Sequence, residues 1–506
     1  MVFNIQSVGI ACMFLMLAPS FLFAHDYNIL NFGAVGDGKT LNTTFIQAAV
    51  DEAHQNGGGR VIIPAGSFVS GSIVLKSGVE LYLHKKASLL GSLNPADYFK
   101  LNRWVSLILA DSAERIGIGG NGIIDGRGHR LALRIDSLFY AGKIDSADYT
   151  FPEMRPRVYL RPQIIEFVKC RHVSVSGVTI RHCASWVQSY AMCEDVVIDH
   201  IRVDSDTYWN NDGVDIIDCK KVRITNSFFN TSDDGICLKS YPDEYHHVSG
   251  IIPICDSIYI ANCTVRSSAS AVKFGTASYG GFRNVTIENI KVYDTYRSAI
   301  ALECYQGGTL EKVLIQNIEA KNTGNAIFIR AGKKTNRLNT RPGTISDVII
   351  RNVKAEIAFE RPDLEYEIRG PALPFFHNVF PSSIVGLPES KVHSIRLENI
   401  DIRFPGRGNN AFANLPLDRL DQIPELPDAY PEFSMFGELP AWGFYIRHVS
   451  GLSMSNVRVK IRRPDYRPAF VLDDVKNASL ESVDIIGDKK PVPFFLHNTE
   501  QILLKE

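Results

Sequence analysis

The sequence predicts an all-β fold, a right-handed parallel β-helix with an N-terminal capping helix and long cleft-forming loops. Three observations predict it. A short alternating apolar motif ending in Asn recurs along the chain. The step between neighbouring copies is most often in the twenties. The strand that follows each copy aligns with the next one on a small residue.

The motif appears as Val222-Arg-Ile-Thr-Asn226, Ile258-Tyr-Ile-Ala-Asn262, Val285-Thr-Ile-Glu-Asn289 and Val313-Leu-Ile-Gln-Asn317. It returns at Val348 with Asn352, Ile395 with Asn399 and Leu452 with Asn456, and without Asn from Val173, Val196 and Ala478. Successive starts are 23, 26, 36, 27, 28, 35, 47, 57 and 26 residues apart. Short alternating strands at such a period signal a solenoid, because one coil cannot bury its inner face alone. Right-handed winding is the default for parallel crossovers. Asn at the fixed turn tolerates left-handed backbone angles and can hydrogen-bond to the neighbouring coil. The long steps are coils carrying surface insertions.

Ahead of the repeats, Asn42-Thr43-Thr44 can cap a helix whose apolar face is Phe45, Ile46, Ala49, Val50 and Ala53, ended by Gly57-Gly58-Gly59. Such a helix would close the open edge of the solenoid. Segments 129–160, 356–391 and 403–445 fit no repeat, and the last, rich in Pro, Asn and Asp, reads as loops. Loops leaving one side of a solenoid build cleft walls.

The chain has 506 residues, 45% hydrophobic, with 54 basic and 55 acidic side chains. Length alone favours about three domains, but a repeat architecture makes residues 25–506 one. The balanced charge offers no basic stripe for nucleic acid. Residues 1–24 read as a signal peptide, apolar from Val8 to Phe23 with cleavage near Ala24, although Lys and Arg are missing from its start. The expected destination is secreted or periplasmic, with no membrane span in the mature chain. Eight cysteines remain (Cys170, Cys183, Cys193, Cys219, Cys237, Cys255, Cys263 and Cys304), without metal-finger spacing. They read as buried thiols, and a disulfide stays open in an exported protein.

Two acidic segments share one template: Trp209-Asn-Asn-Asp-Gly-Val-Asp215 and Ser232-Asp-Asp-Gly-Ile-Cys-Leu-Lys239. Registering Gly213, Gly235, Ala271, Ala299 and Ala326 puts Asp212 over Asp234, with Asp233 beside them. Crowded carboxylates repel, so one keeps its proton while another stays ionised, the pairing needed to hydrolyse a glycosidic bond. Strand alternation then sends Asp215, Cys237, Lys273, Ala301 and Phe328 outward in one column. Ile217, Lys239, Gly275, Glu303 and Arg330 form the other. With Ser270 at the strand entrance, these columns read as a polar sugar-binding floor; solvated ion pairs are the plainer reading.

The chain resembles the glycoside hydrolases of family 28, the polygalacturonase and rhamnogalacturonan hydrolase group. The resemblance rests on the two acidic motifs, on Tyr27-Asn-Ile-Leu-Asn-Phe-Gly-Ala-Val-Gly-Asp-Gly-Lys39, on Asn121-Gly-Ile-Ile-Asp-Gly126, and on Arg161-Pro162, Trp186 and Cys193. It implies a right-handed parallel β-helix that inverts the anomeric centre without metal or organic cofactor. It implies Asp233 as general acid and Asp212 and Asp234 as the pair activating water, with Asn210 and Asp215 at the remaining polar positions. The implied partner is an acidic polysaccharide or oligosaccharide. An inverting pair leaves roughly 6.5–9.5 Å for the water. Two departures stand out. Ala269-Ser270-Ala271 replaces the family's Gly-His-Gly, and Ala301-Leu302-Glu303 replaces its Arg-Ile-Lys. Glu303 would repel a galacturonate carboxylate, so Lys239, Lys273 or Arg330 would have to meet a uronate, or the cleaved sugar is neutral.

The rivals are a polysaccharide lyase, which shares the β-helix, and a non-catalytic carbohydrate-binding β-helix. Crowded aspartates speak against the second. His246-His247 could line the cleft or sit in solvent, and Trp209 and Tyr305 could stack on sugars or pack.

Overall fold

The structure is a computed structural model. It describes residues 25–150, 154–241, 252–335, 340–370, 373–412, 415–487 and 492–505. The expected signal peptide and His246-His247 lie outside the described residues. Among the described residues no helix is long and apolar enough to cross a membrane.

The chain winds as a right-handed parallel β-helix, all of whose coil-to-coil strand pairs run parallel. A single coil shows the logic. Strands Lys220–Thr225, Phe228–Thr231 and Ile236–Ser240 form its three sides, separated by tight turns. Each pairs with its counterpart one coil on: Cys255–Ala261, Thr264–Ser267 and Val272–Ser278. Inward Val, Ile and Leu side chains stack into one continuous core from Ile29 to Leu480. Removing that apolar area from water stabilises the stack by roughly 25 cal/mol per Å².

The asparagine turns behave as the sequence indicates. Asn226, Asn262, Asn289, Asn317, Asn352, Asn399 and Asn456 all have positive φ, between 50° and 58°. Each amide from Asn262 onward donates to the preceding asparagine's carbonyl, from Asn262 to Asn226 at 3.2 Å through to Asn456 to Asn399 at 2.8 Å. Each side chain thereby satisfies its neighbour at a turn where only Gly, Asn or Asp sits cheaply.

Helix α1 (Thr43–Gln55) packs on the first strands and sends Ile46, Ala49, Val50 and Ala53 into the core. Asn42 stands at its N-terminus, but its side chain does not cap it. The amide oxygen accepts instead from Val35 N at 2.7 Å, tying down the preceding turn. A second helix, α2 (Gly128–Tyr140), lies where the sequence shows no repeat, and buries Leu131, Ala132 and Ile135.

Insertions wall the outer face of the sheet containing Val214–Ile217 and Ile236–Ser240. On one side Trp104 and Trp186 pack on the outward column Val168, Ala191 and Ile217. On the other, segments near 380 and 420–441 bring Phe380, Leu420, Ile423, Phe433 and Phe436 over Ala301 and Phe328. Between the walls lies a strip of charged side chains.

Candidate active site

The two acidic motifs occupy equivalent turns of adjacent coils. Asp212 follows strand Arg202–Ser205, and Asp233 and Asp234 follow Phe228–Thr231, which pairs with it. The next strands register Val214 on Ile236 and Asp215 on Cys237. This alignment continues to Val272, Ile300 and Ile327, as the small-residue register requires. The glycines are needed where the coils nearly touch: a Cβ on Gly213 would sit 2.5 Å from Gly235 O, and one on Gly235 2.7 Å from Ala271 O.

One carboxylate oxygen from each of Asp212, Asp233 and Asp234 lies within 4.8 Å of the others. The separation of roughly 6.5–9.5 Å expected of an inverting pair is not what these closest oxygens show. Strand spacing of about 4.8 Å joins Asp212 to Asp234, and sequence adjacency joins Asp234 to Asp233. Asp212 and Asp234 are buried, whereas Asp233 is half-buried.

Their surroundings differ. Burial pushes the Asp233 carboxyl up, and the neighbouring Asp234 charge pushes it further. Its Oδ2 accepts from Asn210 Nδ2 at 3.3 Å. Asn210 has φ of 59°, and Arg161 holds it by donating to its Oδ1 at 2.7 Å. Burial also opposes ionisation of Asp234, but Lys273, Lys239 and Arg297 outweigh it and hold this carboxyl below its ordinary value. Lys273 Nζ is 3.2 Å from Asp234 Oδ2, and Ser270 N donates to Oδ1 at 3.1 Å. Asp212 is raised by burial against the pull of Lys239, whose Nζ lies 2.9 Å away. That ammonium also donates to Asp215, which burial raises to about 6. One lysine thus serves two buried carboxyls, Asp212 and Asp215, so the pair favours keeping one proton.

The outward columns are not a solvent-facing floor. Lys239, Lys273, Glu303 and Arg330 are 5%, 1%, 2% and 1% exposed, because the insertion segments close over them. Glu303 lies 3.8 Å from Lys273, and burial lifts its carboxyl to about 8 despite that lysine. Arg330 donates to Gly386 O at 2.8 Å and to the carbonyls of Glu425 and Leu426, anchoring the covering segment. Ser270 contributes its backbone. Trp209 packs under Arg155, whose guanidinium is 4.8 Å from the ring, while Tyr305 is buried. The eight cysteines from Cys170 to Cys304 are free and buried.

Arg297, Tyr430 and Glu432 join the site although neither acidic motif contains them. Arg297 stands two residues before Ala299 as Asp233 stands two before Gly235, so one more column of the same register contains it. Its backbone N donates to Ala269 O on the intervening coil at 2.8 Å. Glu432 meets its guanidinium at 3.4 Å, and Tyr430 OH accepts from Lys273 Nζ at 3.0 Å. Both partners come from an aperiodic segment, which no repeat pattern could place.

A parallel β-helix whose adjacent turns gather unequal carboxyls has the makings of a polysaccharide-active enzyme. Residues 55–363 match Glycosyl hydrolases family 28, and the chain belongs to that family. It is 28% identical over 320 residues to a "Probable polygalacturonase" of Vitis vinifera, covering 59% of this chain and 61% of that protein. It is 29% identical over 248 residues to an "Exo-poly-alpha-D-galacturonosidase" of Dickeya chrysanthemi, covering 41% of each. The chain therefore spans less than two thirds of these relatives' own length. Among solved structures, the family 28 exopolygalacturonase of Yersinia enterocolitica superposes with a TM-score of 0.63 at 19% identity. That match covers 94% of this chain and 78% of the other.

Proposed function

We propose that this protein is an exported glycoside hydrolase that cleaves uronate-containing bonds of pectic or related acidic glycans, from chain ends and with inversion. The observation that carries it is the convergence of Asp212, Asp233 and Asp234 with three different electrostatic settings. Asp233, raised and the least buried of the three, donates its proton to the leaving oxygen. Asp234, held ionised by Lys273, takes the proton of the attacking water. Asp212 orients that water from the adjacent coil, within reach of one molecule bridging it to Asp234.

The names of the curated relatives support the substrate class. The tall walls on either side of the strip support end-on attack. The close spacing of the oxygens taken alone favours a retaining enzyme. Against that, Asp212 and Asp234 are more deeply buried than Asp233 and paired to ammonium groups, which weakens either as a nucleophile.

The test incubates the protein with oligogalacturonides and follows the first product by proton NMR. A single-residue product appearing as the inverted anomer is expected. The retained anomer would overturn the water-activating roles. An unsaturated, ultraviolet-absorbing product would make the protein a lyase.

A further inference from the structure

Away from the carboxylates, a cleft of about 430 Å³ is lined by Gly38, Lys39, Val69, Ser92, Leu93, Asn94, Arg127 and Arg134. We propose that it is a remote subsite for the carboxylate groups of an acidic glycan, and this deepens the reading of the protein as a uronate-specific hydrolase.

Its position follows from the coil register. Ser92 and Asn94 come just after strand Ala87–Gly91, and Arg127 just after Ile123–Asp125. Those strands pair in turn with Thr179–Arg181, Arg202–Ser205 and Phe228–Thr231. The cleft therefore opens from the same line of turns as the aspartates. Arg127 lies three strand spacings from the Asp233–Asp234 turn, about 14 Å along the solenoid. A glycan lying along these turns, its end between the carboxyls, reaches the cleft a few sugars away. Helix α2 connects the two places: Arg127 precedes it, and the His129 ring lies 6.2 Å from Tyr208, just before Asn210.

Its chemistry suits an anion. Lys39 and Arg134 are exposed, and neither side chain has an ion-pair partner among the described residues. Arg127 spends Nε on Gly91 O at 2.6 Å. The nearby carboxylates are already engaged. Asp125 takes Arg181, His182 and the Arg127 amide, while Asp97 takes Ser92 and Asn94. Three cations thus face a groove whose own anions are committed elsewhere. Guanidinium and ammonium groups bind carboxylates by charge-assisted hydrogen bonds, and Asn94 adds an amide for sugar hydroxyls. The family's missing Gly-His-Gly and Arg-Ile-Lys make such distant recognition more consequential, since Lys239 and Lys273 are locked beneath the site.

The test compares wild type with K39Q/R134Q on galacturonide oligomers of increasing length. For wild type, KM is expected to fall as chains become long enough to reach the cleft. The double variant should lose that gain, with KM for long chains raised on the order of tenfold and kcat little changed. Added salt should erode the gain in wild type only. Identical length dependence in both proteins would overturn the subsite. Should wild type hydrolyse no galacturonide, the hydrolase reading fails by itself. Direct titration of both proteins with a long oligogalacturonide then still decides the cleft: equal affinities sink it, and affinity lost only in the variant upholds it.

Discussion

Lys273 Nζ lies 3.2 Å from Asp234 Oδ2, and this contact helps decide which clustered carboxyl is ionised. Burial alone would raise all three. The ammonium tips Asp234 the other way while Asp233, one residue earlier, remains raised. Two adjacent aspartates are thereby driven apart in acidity, as an acid and a base require.

Replacing Lys273 by Met should remove that asymmetry. Asp234 would lose its nearest cation in a buried setting, so its carboxyl should titrate at higher pH. The acid limb of the rate profile is expected to move up, and kcat near neutrality to fall by about 100-fold. Stripping one partner from a buried pair costs roughly 3–5 kcal/mol. Denaturant melts should show that loss at pH 7, and less of it in acid, where the stranded carboxyl is protonated. An unmoved acid limb in K273M would mean that Asp234 is not the base.

Asp233→Asn should fold normally and turn over about 100 to 10,000 times more slowly, because an amide has no proton to give. An Asn side-chain oxygen can still accept from Asn210 or Asp234 N, so the melting temperature should stay within a few degrees. In wild type, activity should require pH above the depressed Asp234 value and below the raised Asp233 value. A bell-shaped profile is expected, with its alkaline limb absent from the residual activity of D233N.

Much of this was legible in the chain, and the illegible parts share a physical cause. The coil register was readable because Gly213, Gly235, Ala271, Ala299 and Ala326 mark places where the backbones nearly touch. The asparagine turns were readable because few residues tolerate their backbone angles. Both signals come from contacts between successive copies of one unit. The burial of the outward columns is not legible in the sequence, because the segments covering them are aperiodic. Their packing, Phe436 against Arg330 or Tyr430 over Lys273, is decided only in three dimensions. Helix α2 was missed for a local reason: it begins after Arg127 in a left-handed conformation with no side-chain cap. Asn42 misled in the opposite sense, a cap-like residue used to bind Val35.

The asparagine ladder can be weighed at Asn317, which has φ of 58°, donates to Asn289 at 3.0 Å and accepts from Asn352 at 2.9 Å. Asn317→Ala would keep the strained backbone without the side-chain bonds. Left-handed geometry costs an alanine roughly 1–2 kcal/mol, and each exposed bond adds the low end of about 0.5–1.5 kcal/mol. A loss of about 2–3 kcal/mol in chemical denaturation is expected. Asn317→Gly should lose clearly less, since glycine adopts this angle freely. Equal losses for the two variants would show that the bonds, not the backbone, dominate.

Stability should also depend on pH through Asp218, which sits on the coil of the first acidic motif and has no cation paired to it among the described residues. Its Oδ2 accepts from Tyr241 N at 2.9 Å, and burial pushes its carboxyl to about 7 against that bond. A carboxyl raised on folding means that the native state binds a proton more tightly than the unfolded chain. The resulting stabilisation is complete below the unfolded value near 4 and is lost as pH climbs through about 7. Glu166, likewise raised to about 7 by burial, acts in the same direction. The melting temperature should therefore decline between pH 5 and pH 8 by several degrees. Asp218→Asn carries the neutral form at every pH, so its decline should be visibly shallower, and at pH 8 the variant should melt above wild type. Parallel curves for the two proteins would show that Asp218 is ionised in the fold throughout, and that the buried turn pays for the charge in some other way.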